Sequence, residues 1–137
     1  MRAVIDTNVI VSGLIRPRGA PGQILRAPRD RRFVALVSQP ILEEIVAILT
    51  RPWLQERYGF QDNDTRDFLR LLALRSEFLE PTTEIRRCRD PHDDMFLAAA
   101  VDGGAERLVT GDSGLLAIGS VGNATIVTPA AFVRELD

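Results

Sequence analysis

Short apolar runs alternate along the chain with longer segments in which apolar residues recur every three or four positions. The short runs have the length of buried strands, and the longer segments have the spacing of amphipathic helices. The predicted strands are residues 2–5, 33–37, 107–110 and 125–127, with a further extended piece at 78–81. The predicted helices are residues 8–14, 23–27, 39–50, 64–76, 91–101 and 129–136. This alternation predicts an α/β fold with three α/β/α layers and a central, mainly parallel sheet.

Polar residues and prolines at the predicted boundaries favour the same division. Thr7 or Asn8 is suited to cap the first helix, and Ser38 is suited to cap the helix that follows the second strand. Thr128, followed by a proline, has the pattern of an N-cap with proline at the first helical position. The segment 51–59 interrupts the helical pattern with Pro52 and Gly59.

Length and composition predict one domain over residues 1–137. The chain is 45% hydrophobic, which is enough for a core without disulfide bonds. The apolar runs are far shorter than the roughly 20 residues that span a bilayer, and Asp6 interrupts any secretory signal. The single Cys88 excludes an internal disulfide and a cysteine zinc cluster. We therefore expect a cytoplasmic protein with no membrane association.

Charge is distributed unevenly along the chain. Residues 1–32 hold seven arginines and two acids, whereas residues 33–137 hold ten arginines and seventeen acids. Guanidinium groups bind phosphates well, so the N-terminal cluster is a candidate nucleic-acid contact, although a solvated loop explains it equally well. The cluster comprises Arg16, Arg18, Arg26, Arg29, Arg31 and Arg32.

Carboxylates recur at the predicted C-terminal ends of strands or in the helix just after them. They are Asp6, Glu44, Asp93 and Asp112. Ligands of open α/β sheets bind in the crevice beyond these strand ends, so acids from distant segments are expected to converge there. Closely spaced carboxylates repel one another, and an all-oxygen cluster favours Mg²⁺ or Mn²⁺ over zinc. Such ions support hydrolysis of phosphodiester bonds.

Each acid also has a purely structural interpretation. Asp6 is suited to cap the helix that follows it, Asp112 is suited to a turn or to capping a segment at 113–116, and Glu44 is suited to a partly exposed rim. Asp90 is suited to cap the next helix, with Asp93 in its first turn. The helical projection places Asp93 on the face of Leu97 and Ala100, which packs toward the sheet. It places Asp94 to one side.

Other chemistries lack support in the sequence. Nucleophilic catalysis would need a partner for Cys88 or a serine, and the sole His92 is most simply an exposed first-turn residue. No phosphate-binding glycine loop follows a strand. A receiver-type phospho-acceptor domain would need a late lysine, and the chain has no lysine.

Four segments in order resemble the PIN domain family, in particular its bacterial and archaeal toxin-antitoxin branch. They cover nearly the whole chain, and each is short, but their order and spacing together are fairly specific. The segments are VIDTNV at 4–9, SQPILEEI at 38–45, DPHDD at 90–94 with Leu97 and Ala100, and VTGD at 109–112 with Leu115 and Leu116.

The resemblance implies a Mg²⁺- or Mn²⁺-dependent endoribonuclease that acts as the toxin of a toxin-antitoxin pair. It implies that Asp6, Glu44, Asp93 and Asp112 are the catalytic and metal-binding residues. It gives supporting roles to Asn8, Thr110, Asp90 and Asp94, of which Asp90 and Asp94 are either ligands or helix caps. It further implies an RNA substrate, an antitoxin protein that fills the acidic groove, and a homodimer.

Flanking arginines would have to guide RNA toward acids that otherwise repel it, and Arg16, Arg18 and Arg26 are the candidates. Two other functions stay open. One is a PIN-like scaffold that binds RNA or a protein without cutting. The other is a phosphatase or a flap-cutting DNA nuclease, for which 137 residues leave little room.

Overall fold

The computed structural model describes residues 1–27 and 32–137. Within them, six strands form one sheet in the order β3-β2-β1-β4-β6-β5. The strands are β1 (Arg2–Ile5), β2 (Val34–Ser38), β3 (Ser76–Leu79), β4 (Arg107–Val109), β5 (Ser120–Val121) and β6 (Ala124–Val127). Helices cover the sheet, which confirms the predicted three-layer α/β/α fold.

The first five strands of this order run parallel, as predicted. Strand β1 pairs with β2 on one side and with β4 on the other, and its last residue, Ile5, is opposite Val109. Only β5 is antiparallel, where it pairs with β6 through a tight turn at Gly122, whose φ of 55° suits glycine. The sequence analysis did not predict β5, because two residues are too few to show a strand pattern.

The helices follow the predicted order with several corrected boundaries. They are α1 (Thr7–Ile15), α2 (Ala20–Arg26), α3 (Gln39–Leu49), α4 (Pro52–Tyr58), α5 (Asp62–Arg75), α6 (Asp94–Asp102), α7 (Ser113–Ile118) and α8 (Pro129–Leu136), with a 3-10 turn at Pro91–Asp93 before α6. Helix α2 therefore begins three residues earlier than predicted. Helix α4 lies where only an interruption was expected, since Pro52 begins a new helix there instead of leaving a loop.

Capping explains most helix starts. The Ser38 and Thr128 side chains accept hydrogen bonds from Ile41 N and Ala131 N, as predicted. Neither Thr7 nor Asn8 caps α1, because the side chain of Asp6 does so. The sequence analysis gave this role to Asp6 as its structural alternative.

The core lies between the sheet and the helices. Val4, Leu36 and Leu108 on three adjacent strands are almost fully buried, and the alanine-rich face of α6 packs on these strands. Gly103 ends α6 where a Cβ atom would lie 2.7 Å from a methyl of Leu36, so the close packing requires glycine there. No helix of the described residues is both long and apolar enough to cross a membrane.

Candidate active site

Asp6 lies at the centre of the candidate site because β1 is an inner strand of the sheet. Its backbone N–H donates to Val109 O at 2.9 Å, which fixes the residue just beyond the end of β1. The side chain is only 3% exposed. One carboxylate oxygen accepts from Asn8 N at 3.0 Å, and the other accepts from Thr110 Oγ1 at 2.7 Å.

Thr110 joins Asp6 to Asp112. The fully buried Thr110 hydroxyl donates to Asp6 and accepts from Asp112 N at 3.0 Å. Asp112 caps α7 by accepting from Leu115 N at 2.9 Å through one oxygen. The Thr110 hydroxyl thus links the two acidic residues, and capping occupies one of the two Asp112 oxygens.

Glu44 enters the site from α3 and contacts His92. Its Oε1 lies 2.5 Å from His92 Nε2, and this hydrogen bond raises the pKa of His92, although partial burial opposes the shift. The other oxygen, Oε2, is buried and has no hydrogen-bond partner in the described part of the chain. The sequence analysis missed this pair, since residues 48 positions apart leave no local signal.

Of the three acids in the segment DPHDD at 90–94, Asp90 and Asp94 accept hydrogen bonds from the backbone, and Asp93 faces the candidate site. Asp90 caps the 3-10 turn by accepting from His92 N at 3.0 Å. Asp94 turns away and accepts from Arg87 N at 3.0 Å and Cys88 N at 2.8 Å. Burial opposes ionisation of Asp94, but the hydrogen bonds from Cys88 and Arg87 lower its pKa. Asp94 therefore anchors the preceding loop.

Asp93 faces the other acids. Burial raises the pKa of Asp93 to about 6, and the charges of Asp6, Asp90 and Asp112 add to the shift. Burial likewise raises the pKa of Asp6. Hydrogen bonds from Thr110 and Asn8 oppose that shift, and the charges of Glu44 and Asp112 reinforce it. Four acids from four segments therefore share one electrostatic environment.

A divalent cation suits this donor set. Asp6, Glu44, Asp93 and Asp112 supply only oxygen donors, which Mg²⁺ and Mn²⁺ prefer. The buried, unpartnered Glu44 Oε2 is a polar atom that lacks the partner such an atom normally has. Within residues 1–27 and 32–137, however, no three side chains of the ligating types are already close enough to form a metal site. The fit of the site to a divalent cation therefore rests on the oxygen chemistry of the four acids.

The arginines of the N-terminal cluster that the structure describes differ in their contacts. Arg16, Arg18 and Arg26 are all exposed, and Arg26 also donates to Pro17 O at 2.7 Å across the loop between α1 and α2. Arg32 lies 3.7 Å from a carboxylate oxygen of Asp137. Arg29 and Arg31 lie outside the described residues.

Cys88 is a poor nucleophile in this environment. Burial and the hydrogen bond to Asp94 raise the pKa of its thiol to about 12, so the thiol stays protonated near neutral pH.

Comparison with known proteins agrees with this architecture. The sequence model of the PIN domain matches residues 2–114. The uncharacterized protein MJ1680 of Methanocaldococcus jannaschii is 30% identical over 145 aligned positions, which cover 100% of this chain and 92% of that protein.

Two crystal structures share the fold. PAE2754 from Pyrobaculum aerophilum matches with a TM-score of 0.63 at 18% identity, over 99% of this chain and 89% of that one. VapBC2 from Rickettsia felis, bound to a DNA fragment from its promoter, matches with a TM-score of 0.59 at 13% identity, over 93% and 98%.

Proposed function

The chain belongs to the PIN domain family, and on that premise we propose that it is a Mg²⁺- or Mn²⁺-dependent endoribonuclease that acts as the toxin of a toxin-antitoxin pair. Membership of this family supports hydrolysis of nucleic acid. The observation that carries the proposal is the buried Asp6 carboxylate, which Asn8 and Thr110 hold in place and whose pKa is raised by burial and, to a smaller extent, by the charges of Glu44 and Asp112.

Four acids would hold the cation, and each is fixed by a different part of the fold. Asp6 follows the inner strand β1, and Asp112 follows β4. Glu44 presents Oε2 from α3, and Asp93 faces Asp6 and Asp112 from the turn before α6. A bound divalent cation supplies charge neutralisation at the phosphate and an activated water.

The remaining polar residues position these acids. Asn8 and Thr110 orient Asp6 by the two hydrogen bonds described above. Asp90 and Asp94 shape the DPHDD segment through backbone hydrogen bonds, so in this proposal both are structural and neither is a ligand. We further propose that Arg16 and Arg18 guide the RNA, since both are exposed. Arg26 is also exposed and is the third candidate for this role, with one guanidinium nitrogen already donating to Pro17 O.

The proposal extends to partners and organisation. The likeness of the fold to VapBC2 supports an antitoxin protein as partner. A single domain over residues 1–137, a homodimer and a cytoplasmic location belong to the same proposal. An antitoxin that covers the acidic groove would have to bring cationic or neutral groups to it, because further acids would be repelled.

The alternative function is a scaffold that binds RNA or a protein without cutting, for which the four acids would not have to hold a cation. Metal binding separates the two functions, because the scaffold needs no divalent ion at these four acids.

The test is cleavage of a mixed panel of structured RNAs in Mn²⁺ or in EDTA. Asp93→Asn is compared with Asp67→Asn, which removes an exposed acid on α5 far along the chain from the site. We expect cleavage by the wild type and by Asp67→Asn in Mn²⁺ alone, and none by Asp93→Asn. Cleavage that persists in EDTA or in Asp93→Asn would refute the proposed site. A folded, antitoxin-free protein that cuts no RNA would favour the scaffold.

A further inference from the structure

A continuous groove leads away from the acid site along helix α1. Asn8, Ser12 and Ile15 are spaced i, i+4, i+7 and so share one face of α1. Two depressions adjoin on this face. The one next to the acids is lined by Asn8, Val9, Ser12, Pro21, Gly111, Asp112 and Pro129. The second depression shares Ser12 and Pro21 with the first and ends at Ile15, Arg16 and Tyr58. The groove therefore runs about 10 Å along α1 from the acids.

Exposed aromatic rings lie at the far end of this groove. The chain has a single tryptophan and a single tyrosine, and both are on the short helix α4. Trp53 is 51% exposed and Tyr58 is 40% exposed, whereas Leu54 between them is fully buried and anchors the helix. The two ring centroids are 6.5 Å apart, and Arg57 lies 5.6 Å from the centre of the Tyr58 ring.

The charge changes sign along the groove. Asp112 lines the end next to the acids, whereas the only charged residue among those that line the second depression in the described chain is Arg16. Arg57 adds a second guanidinium beside Tyr58. A cation and exposed rings together are the features with which proteins bind single-stranded nucleic acid, through phosphates and stacked bases.

We propose that this groove binds a single strand of nucleic acid and leads it to the acid site. Arg16 contacts a phosphate, and an unpaired base stacks on the Tyr58 and Trp53 surface. The inference rests on the proposed nuclease function for its direction toward the acids, but binding itself can be measured without cleavage. Stacking requires an unpaired base, so the groove selects single strands over duplexes.

The sole tryptophan makes the proposal directly measurable. We would titrate the full chain in EDTA, where no cleavage occurs, with a single-stranded oligouridylate of about ten nucleotides, a length within the range of known single-strand sites. The emission of Trp53 is expected to be quenched to saturation. A duplex RNA of the same length is expected to quench weakly.

Substitutions at Tyr58 locate the binding site. Tyr58→Ala is expected to weaken the affinity by roughly tenfold, in the range measured for loss of one stacked base. Tyr58→Phe retains the ring and is expected to bind like the wild type. The matched control is Leu74→Ala, which removes an exposed apolar side chain on α5, 74% exposed, and is expected to change nothing.

The outcomes separate this groove from the nuclease proposal. Saturable quenching that Tyr58→Ala weakens supports the groove, even if no RNA is ever cut. Cleavage without quenching, or quenching equal in Tyr58→Ala and wild type, would overturn the groove and leave the nuclease proposal standing. Quenching by a duplex as strong as by a single strand would also overturn it. Weakened binding of a co-purified antitoxin by Tyr58→Ala, with RNA affinity unchanged, would assign the surface to a protein instead.

Discussion

His92 Nε2 lies 2.5 Å from Glu44 Oε1, and this contact joins the turn before α6 to helix α3. Because one oxygen of Glu44 is held in this way, the other is fixed in its buried position, where it has no partner among the described residues. In the proposed metal site, His92 is a positioning residue for Glu44. Residues of this kind orient ligands, and their loss commonly weakens metal affinity.

We predict that His92→Ala lowers the affinity for Mn²⁺ by about tenfold, because Glu44 loses the group that orients it. His92→Gln, which keeps a donor at similar reach, is expected to recover most of that affinity. The measurement is calorimetric titration with Mn²⁺ in the absence of RNA. Equal affinities of His92→Ala and wild type would show that Glu44 needs no support from His92.

A second prediction concerns two adjacent acids whose substitution is expected to change the free energy of unfolding in opposite directions. In EDTA, Asp93→Asn is expected to stabilise the folded chain at neutral pH, because it removes a carboxylate whose ionisation is disfavoured by burial and by Asp6. Asp94→Asn is expected to destabilise it by about 1 kcal/mol, because a neutral amide accepts more weakly from the backbone of Arg87 and Cys88. Urea unfolding of the three proteins checks both signs. Destabilisation by both substitutions would mean that Asp93 has a structural partner.

The pH dependence of stability follows from the raised pKa of Asp93. In the folded protein Asp93 takes up a proton at about pH 6, and in the unfolded chain only near its ordinary pKa of 3.8. Between these values folding is coupled to proton uptake, so this residue makes the metal-free protein more stable as the pH falls. Acids whose pKa is lowered, such as Asp94 and Asp102, act in the opposite direction.

The difference between wild type and Asp93→Asn isolates this contribution. Unfolding free energies measured in EDTA from pH 7 to pH 4 should converge as the pH falls. A stability difference that is constant across this range would contradict the raised pKa.

Thr110→Val is predicted to destabilise the protein by about 1–3 kcal/mol, since it leaves a buried oxygen of Asp6 and the N–H of Asp112 without their shared partner. Thr110→Ser keeps the hydroxyl and serves as the control. Urea unfolding in EDTA measures the loss. Equal unfolding curves for Thr110→Val and Thr110→Ser would show that the hydrogen bonds of the Thr110 hydroxyl do not stabilise the fold.

A steric prediction concerns the contact between helix α2 and the loop that precedes it. A Cβ atom at Gly22 would lie 2.0 Å from Pro17 O, which is backbone and cannot move aside cheaply, whereas at Gly19 the nearest atom is 3.7 Å away. Gly22→Ala is therefore expected to lower the free energy of unfolding by about 1–3 kcal/mol or more. Gly19→Ala is expected to lower it much less. Thermal unfolding of both variants checks the contrast. Equal stability would show that the loop between α1 and α2 adapts.

The fold was largely predictable because the sheet is buried and its strands are short apolar runs. Residues 2–5 were predicted without error, and the other parallel strands to within one or two residues. Strand β5 was missed because it has only two residues. Helix α4 was missed because it begins at an arginine-proline pair, which is also the pattern of a helix end. Propensity alone does not separate a break from a new helix start.

The candidate site was predictable in part for a related reason. The carboxyl ends of parallel strands share one edge of the sheet, so Asp6 and Asp112 had to lie near each other. The helical projection of Asp93 assumed an α-helix from residue 91, whereas Asp93 lies in the 3-10 turn before α6. The contact between His92 and Glu44, and the groove to Tyr58, depend on how helices pack, which short-range patterns do not encode.

The bond from Thr110 to Asp6 joins residues 104 positions apart. The sheet places β4 next to β1, so the acid site is complete only after residues near both ends of the matched region have come together. A growing chain that has reached α5 possesses Asp6 and Glu44 but neither Thr110 nor Asp112. Whatever chemistry the finished pocket performs, a ribosome-bound fragment of this length lacks the residues that complete it, so the pocket forms only when synthesis is nearly over.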